Sequence, residues 1–454
     1  MKKGFKFLVF LIGIVLLSSC TREPFIKQQD NTSATDPLAA PALPVHDPIK
    51  VSNINVEIAQ EVARVFYANI NRQNVQSIGI ASVDSILDWK DRTAIYIINL
   101  HPIGYVLTSA DIKNKAIIGY SEEGRLTSDA KSMPDALVAN LADIIVKNRI
   151  VAEGYLQPKL LHSLVGNSKN DWQEQYVQVT LKKYDFEDKY FDPCSDSPRT
   201  LVDVNFSNPD GYFCKTSWHQ WAPYNYYAPR HDYPIGCVAV AMGQIMKFHR
   251  HPWFFNWDIM PDYSANHYDD MTDGDREVAR LLRDIGWMVK MKYNTAEAGG
   301  SGATDYMAWW ALYYKYHYWA DIPKKWDYNK IVNQLKNDKT PVYVSGYIPK
   351  DNWFYKVFPN DGHTFIIDGV QEMTRTYQYE CMGEIKTSKV KNELIHYNFG
   401  WGDEEKEEKK IYNIWFSNYF IEQINTEYIK DVITGKDFPN YQYYKRCIYN
   451  IHPK

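Results

Sequence analysis

From Asn53 onward, Ile58, Ala59, Val62, Phe66 and Ile70 recur at helical spacing and predict an amphipathic helix. Short runs rich in β-branched and aromatic residues follow, Ala94–Asn99, Gly104–Ser109 and Ala116–Tyr120, divided by turn residues. They predict adjacent strands of an antiparallel sheet. A second helical stretch lies near Pro134–Lys147. Together these elements make a compact α+β unit over 51–165 that carries no catalytic constellation of its own.

Ahead of this unit the pattern is different. Lys2, Lys3 and Lys6 surround the start of an apolar run, Phe7–Leu17, too short to span a bilayer as a permanent helix. It reads as a signal peptide over 1–20. The run ends Leu17-Ser18-Ser19-Cys20, which resembles a bacterial lipobox and implies that Cys20 carries acyl chains, palmitate among them. Such chains hold a protein to a membrane surface without spanning it. An ordinary signal peptide with an incidental cysteine is the plainer alternative. Residues 21–50 carry Pro24, Pro37, Pro41, Pro44 and Pro48 among small polar residues and predict a semi-extended tether. The expected location is the bacterial cell envelope, on the periplasmic side or at the cell surface, with release on processing.

Residues 166–200 are polar and mixed, a connection open to proteolysis. Residues 201–454 form the remaining core, rich in Trp and Tyr. The 454-residue chain is 45% apolar and 23% charged, which excludes a disordered chain. A net charge of −4 with no long basic run argues against nucleic acid as the main partner. The charged run Asp403–Lys410 reads as a solvated turn or helix end. Six cysteines are too few for a disulfide scaffold, and none forms a Cys-x-x-Cys pair. Export permits disulfides, and Cys194–Cys214 is one pairing open to the chain.

Chemistry concentrates in four segments. In Pro234–His249, Val238, Ala241, Met242, Ile245 and Met246 share one helical face, so Cys237 stands at the first turn behind Gly236. A helix N-terminus favours thiolate over thiol. Gly362-His363-Thr364-Phe365-Ile366-Ile367-Asp368-Gly369 reads as a buried strand that His363 enters. Leu394–Gly402 is another strand, ending in glycine-interrupted aromatics, with Asn398 at its end. Cys, His, Asn is the chain order of papain-type proteases. Upstream, Trp218–Asn225 holds Gln220, whose amide joins the Cys237 N–H as a candidate oxyanion donor.

These four segments resemble the streptopain-like cysteine peptidases, whose pattern runs Gln-x-x-Pro-Tyr-Asn, Gly-Cys-Val-Ala-x-Ala-x-x-Gln-Ile-Met-x-x-His, Gly-His-x-Phe-x-Ile-Asp-Gly and Asn-x-Gly-Trp-Gly. Asn99, Gly104-Tyr105-Val106, Ser109-Ala110-Asp111 and Ile118-Gly119-Tyr120-Ser121 are similar to the family's propeptide. The resemblance implies a papain-like α+β fold and peptide-bond hydrolysis, with Cys237 as nucleophile and His363 as general base and acid. It makes Gln220 the oxyanion donor, Asn398 the orienting residue, and Ser301 and Gly362 cleft residues touching substrate. It implies protein or peptide substrates, the chain's own propeptide as intramolecular inhibitor, and no metal or organic cofactor.

Phe399 departs from the pattern, which has Trp after the Asn; Asp403 stands where a further glycine is common. Residues 371–393 lengthen the connection between the His and Asn strands. Two other readings compete: a catalytically inactive surface lipoprotein that binds peptide or host protein, and a papain-fold acyltransferase or amidase. His249 and His251, beside Pro252, lack the carboxylate partner of a metalloprotease motif. His219 and His396 read as packing or rim residues.

Overall fold

The computed structural model describes residues 26–27, 53–129, 133–152, 172, 199–207, 211–296, 300–347, 362–401, 413–417 and 444–454. Cys20, Cys194, the charged run after 402 and most of the tether and connection lie outside them. Ile26–Lys27 (β1) is a short strand inside the expected tether, paired with Ile86 and Ser85.

The first half is built as its periodicity dictates. Helix α1 (Val56–Ile70) opens where the Asn55 side chain accepts from the Ile58 N–H at 2.9 Å, and it buries Ala59, Val62, Ala63 and Phe66. Strands β2 (Gly79–Leu87), β3 (Thr93–His101), β4 (Tyr105–Ser109) and β5 (Ile117–Ser121) pair antiparallel in sequence order. Alternation along β3 covers both faces of this sheet. Tyr96, Ile98 and Leu100 pack with α1, while Ile95 and Ile97 pack with Leu137, Leu141 and Ile145 of helix α2 (Asp135–Ala152). The sequence reading missed β2, whose Ser82, Asp84 and Ser85 dilute the strand signal.

The second half joins a helical layer to the same sheet. It contributes β6 (Arg199–Ser207), α3 (Cys237–His249), α4 (Asp273–Met288), α5 (Asp305–Trp310), β7 (Tyr318–Trp319), β8 (Lys324–Lys325) and α6 (Tyr328–Asn333). Then come β9 (Val342–Tyr347), β10 (His363–Cys381), β11 (Glu384–Asn398), β12 (Asn413–Ser417), β13 (Tyr444–Ile448) and β14 (His452–Pro453). The sheet runs β1-β2-β3-β4-β5-β12-β11-β10-β9-β13-β8, with β6 also on β10. The two halves therefore share one sheet, joined where Tyr120 pairs with Trp415 and Gly119 with Phe416. Tyr120 stacks on Trp415 and donates to the Gln371 side chain at 3.0 Å, and Lys445 Nζ donates to Asn140 of α2 at 3.1 Å.

The structure bears on three sequence-based readings. Residues 371–393 do lengthen the link between the His and Asn strands, as a hairpin: β10 and β11 run on paired to a turn at Met382-Gly383, both with positive φ. Arg199 and Thr200, expected in the connection, belong to β6. Cys214 is a free thiol, buried, with its N–H donating to Asp368 Oδ2 at 2.9 Å, so no Cys194–Cys214 disulfide forms. Cys381, at the hairpin tip, is disulfide-bonded. Among the described residues no helix is long and apolar enough to cross a membrane.

Candidate active site

Helix α3 brings Cys237 to the sheet. Val238 through Met246 are buried, several against Leu281, Leu282 and Ile285 of α4. The chain enters through Gly236 at φ 100° and ψ 132°, a region open in practice to glycine alone. A Cβ there would also meet the Met291 thioether at 2.6–2.7 Å. The turn is braced from behind. The Ile235 N–H donates to the Gln220 carbonyl at 2.9 Å, and buried Asn225 donates to the His231 and Tyr233 carbonyls at 3.0 and 3.1 Å. Asn225 thus ties down the loop that leads into the cysteine.

Two consecutive residues of β10 act on the Cys237 thiol. His363 and Thr364 are both buried at the strand's start. Burial pushes the thiol up, but the hydrogen bond and charge of His363, with the two contacts of Thr364, bring it below its ordinary value. The helix N-terminus adds in the same direction.

His363 Nε2 lies 2.8 Å from the Phe399 carbonyl. A carbonyl only accepts, so Nε2 carries the hydrogen and Nδ1 is the nitrogen left to serve the thiol. The Trp401 ring meets the imidazole edge to face at 5.7 Å. This corrects the role carried over to Asn398. Its Nδ2 donates to the Thr216 carbonyl at 2.8 Å and to Gln244 Oε1 at 3.0 Å, and its Oδ1 accepts from the Gly400 N–H at 3.0 Å. Asn398 ties the end of β11 to α3 and sets the Gly400 turn, while the next residue's main chain holds the ring.

The other expected site residues gather nearby with different parts. Gln220 is buried and reaches the nucleophile turn through its carbonyl. Ser301 has its carbonyl 3.4 Å from the point a Gly236 Cβ would occupy, while its hydroxyl bonds the Asn294 main chain within its own loop. Gly362 is exposed beside His363, where a Cβ would sit 2.8 Å from the Gly346 carbonyl. Sequence reasoning missed Thr364, the Phe399 carbonyl and Gln244. Only Gln244 left a signal, as a polar residue inside an apolar helix.

His396 is not at the site. It is fully buried, with Nδ1 2.6 Å from Asp368 Oδ1 and its ring stacked on Tyr212 at 4.1 Å. His251 Nε2 bonds the Tyr316 carbonyl at 2.9 Å. Both serve packing.

Residues 218–407 match the Peptidase C10 family and residues 51–145 match the Spi protease inhibitor family. The thiol protease/hemagglutinin PrtT of Porphyromonas gingivalis is 22% identical over 391 residues, 76% of this chain and 37% of that protein. The chain thus spans little more than a third of that relative. Streptopain of Streptococcus pyogenes is 20% identical over 346 residues, 68% of this chain and 71% of its own. A solved fragment of prointerpain A from Prevotella intermedia superposes with a TM-score of 0.45 at 16% identity, covering 81% of this chain and 98% of the fragment. The chain thus places a segment that matches the Peptidase C10 family behind one that matches the Spi protease inhibitor family.

Proposed function

We propose that the chain is a cysteine endopeptidase made as a zymogen, which hydrolyses peptide bonds through a thioester acyl-enzyme. The observation that carries this reading is Cys237 as the first residue of α3 together with buried His363, whose Nε2 is fixed on the Phe399 carbonyl and whose charge holds the thiol below its ordinary value against burial. The thiolate attacks the scissile carbonyl carbon. The developing oxyanion takes hydrogen bonds from the Cys237 N–H, the first of α3, and from the Gln220 amide. The His363 imidazolium gives its Nδ1 proton to the leaving amine. The neutral ring then takes a proton from water, which attacks the thioester and restores the thiol. Phe399 supports this cycle by keeping Nε2 a donor throughout.

Latency rests on the Spi-type domain. Its β5 extends the peptidase sheet through β12, and its α2 packs into the core that holds Phe365 and Phe399 beside His363. Release then requires cleavage between the two domains, within roughly 150–215 of the sequence where the polar connection lies. Export and a lipid anchor at Cys20 complete the proposal, on the strength of the lipobox-like Leu17-Ser18-Ser19-Cys20.

The test compares purified full-length chain with its Cys237→Ala variant on a denatured protein substrate. Fragments accumulate with the wild type and not with the variant. Equal fragment release by both overturns the assignment.

A further inference from the structure

The strands that carry His363 and Phe399 pair with one irregularity. Between Ile367 and Gly369 the register of β10 on β11 shifts, which leaves Asp368 as the extra residue of a bulge. Asp368 is fully buried. Its Oδ1 lies 2.6 Å from His396 Nδ1, which carries the hydrogen because a carboxylate only accepts. Its Oδ2 accepts the Cys214 N–H at 2.9 Å, and its carbonyl accepts the Phe213 N–H at 2.7 Å. Tyr212 bridges to Gly369 and stacks on the His396 ring at 4.1 Å. That approach needs a glycine: a Cβ at 369 would stand 3.0 Å from Tyr212 and 3.1 Å from His396. Residues 212–214 thus lie as a strap across the bulge. The strap runs on to Thr216, whose hydroxyl donates to Gln244 of α3 at 3.0 Å and whose carbonyl accepts the Asn398 amide at 2.8 Å. Gln220 follows in the same segment.

We infer that Asp368 is a positioning residue, which sets the oxyanion donor Gln220 against the base His363 by fastening the 212–216 strap to the bulge in β10. The inference rests on the peptidase reading and deepens it. His363 and Asp368 belong to one strand, and that strand is laddered to β9 over His363–Ile367 and to β11 from Ile366 onward. The strap has one bridge to the strand, at Gly369, and the two N–H bonds that Asp368 accepts. When the carboxylate loses an acceptor, the strap is therefore the part that moves and the base is the part that stays. A moved strap carries the Gln220 amide off the place where the oxyanion forms. The thiol keeps its imidazole. Alkylation of Cys237 by iodoacetamide displaces iodide at a saturated carbon and builds no oxyanion, so it reads the thiol–imidazole pair apart from the oxyanion donor.

The experiment measures peptide hydrolysis and the pH profile of Cys237 alkylation side by side in the full-length chain, incubated to constant turnover and with rates expressed per alkylatable Cys237. Asp368→Asn keeps the shape and leaves one acceptor for two N–H donors. Its kcat and kcat/KM are expected to fall together by about 10²-fold, the cost of a displacement of roughly 1 Å, with the alkylation profile of the wild type. Gln220→Ala loses about 10²–10³ in kcat, and adding Asp368→Asn to it costs little more, because both changes remove the same donor. Half-buried Tyr212 supplies a second variant that leaves the carboxylate intact: Tyr212→Ala loosens the strap and lowers kcat by less, again without moving the alkylation profile, and it decides the matter where Asp368→Asn fails to fold. Wild-type kcat in the folded variants overturns the inference, and so do losses that multiply in the double variant or an alkylation profile that shifts with kcat. A wild-type Cys237 inert at neutral pH sinks the peptidase reading itself, a distinct outcome.

Discussion

The imidazole of His363 is held by a main-chain oxygen, the Phe399 carbonyl at 2.8 Å, while the adjoining Asn398 amide is bonded to Thr216, Gln244 and Gly400. Side-chain substitution leaves a carbonyl in place. The tautomer that aims Nδ1 at sulfur is therefore built into the backbone.

Asn398→Ala is expected to cost stability more than chemistry. It strips partners from a buried carbonyl, a buried amide and a turn N–H, at about 1–3 kcal/mol for a buried polar group left unpaired. Calorimetry should show a lowered melting temperature. The folded variant should retain kcat within about tenfold of the wild type, far above the loss in His363→Ala. A loss equal to that of His363→Ala would return the orienting role to Asn398.

Gly236→Ala should act on the nucleophile turn. The φ of 100° strains any other residue by about 1–3 kcal/mol. A new methyl group also meets Met291 at 2.6 Å. Relief of that strain rotates Cys237 away from His363, so alkylation at neutral pH falls along with peptidase rate. Unchanged alkylation in this variant would show that the turn tolerates a side chain.

Acid should weaken the fold through two imidazoles. Burial pushes His219 and His249 down to about 4. In the unfolded chain both take a proton near 6.5. Between those values the unfolded state binds more protons, so stability is full above 6.5 and is lost as pH falls toward 4. Each group contributes a slope of at most about 1.4 kcal/mol per pH unit. His219 Nδ1 accepts the Trp221 N–H at 3.3 Å. His219→Asn keeps an acceptor there and should flatten the melting-temperature profile over this window; an unaltered slope counts against the imidazole as its source.

The joint between the domains offers a separate lever. At Gly119 a Cβ would stand 2.7 Å from the Trp415 carbonyl and 3.3 Å from the Phe416 ring. Gly119→Val should wedge β5 from β12 and raise the peptidase activity of the uncleaved chain. The assay is substrate turnover by full-length protein whose connecting segment is shown intact by mass. Latency equal to the wild type would place inhibition elsewhere than at this joint.

Much of this was legible in the residues, and what was not has physical causes. Helices α1 and α2 and strands β3 to β5 bury regular faces, so period and composition agreed. Gly236-Cys237 before an apolar face marked the nucleophile helix. The long hairpin escaped notice because its inward positions include the wholly buried Arg375, hydrogen-bonded to Asn392, in place of an apolar residue. A polar core pair reads as loop. The Phe399 carbonyl left no trace, since every residue has one.

The most direct test of the account is the pH dependence of Cys237 alkylation in the wild type and in His363→Ala. Wild-type Cys237 should react rapidly at neutral pH as a thiolate sustained by the imidazolium, and His363→Ala should react slowly until pH approaches that of an ordinary cysteine. Identical profiles for the two proteins would contradict the thiolate–imidazolium pair on which the rest is built.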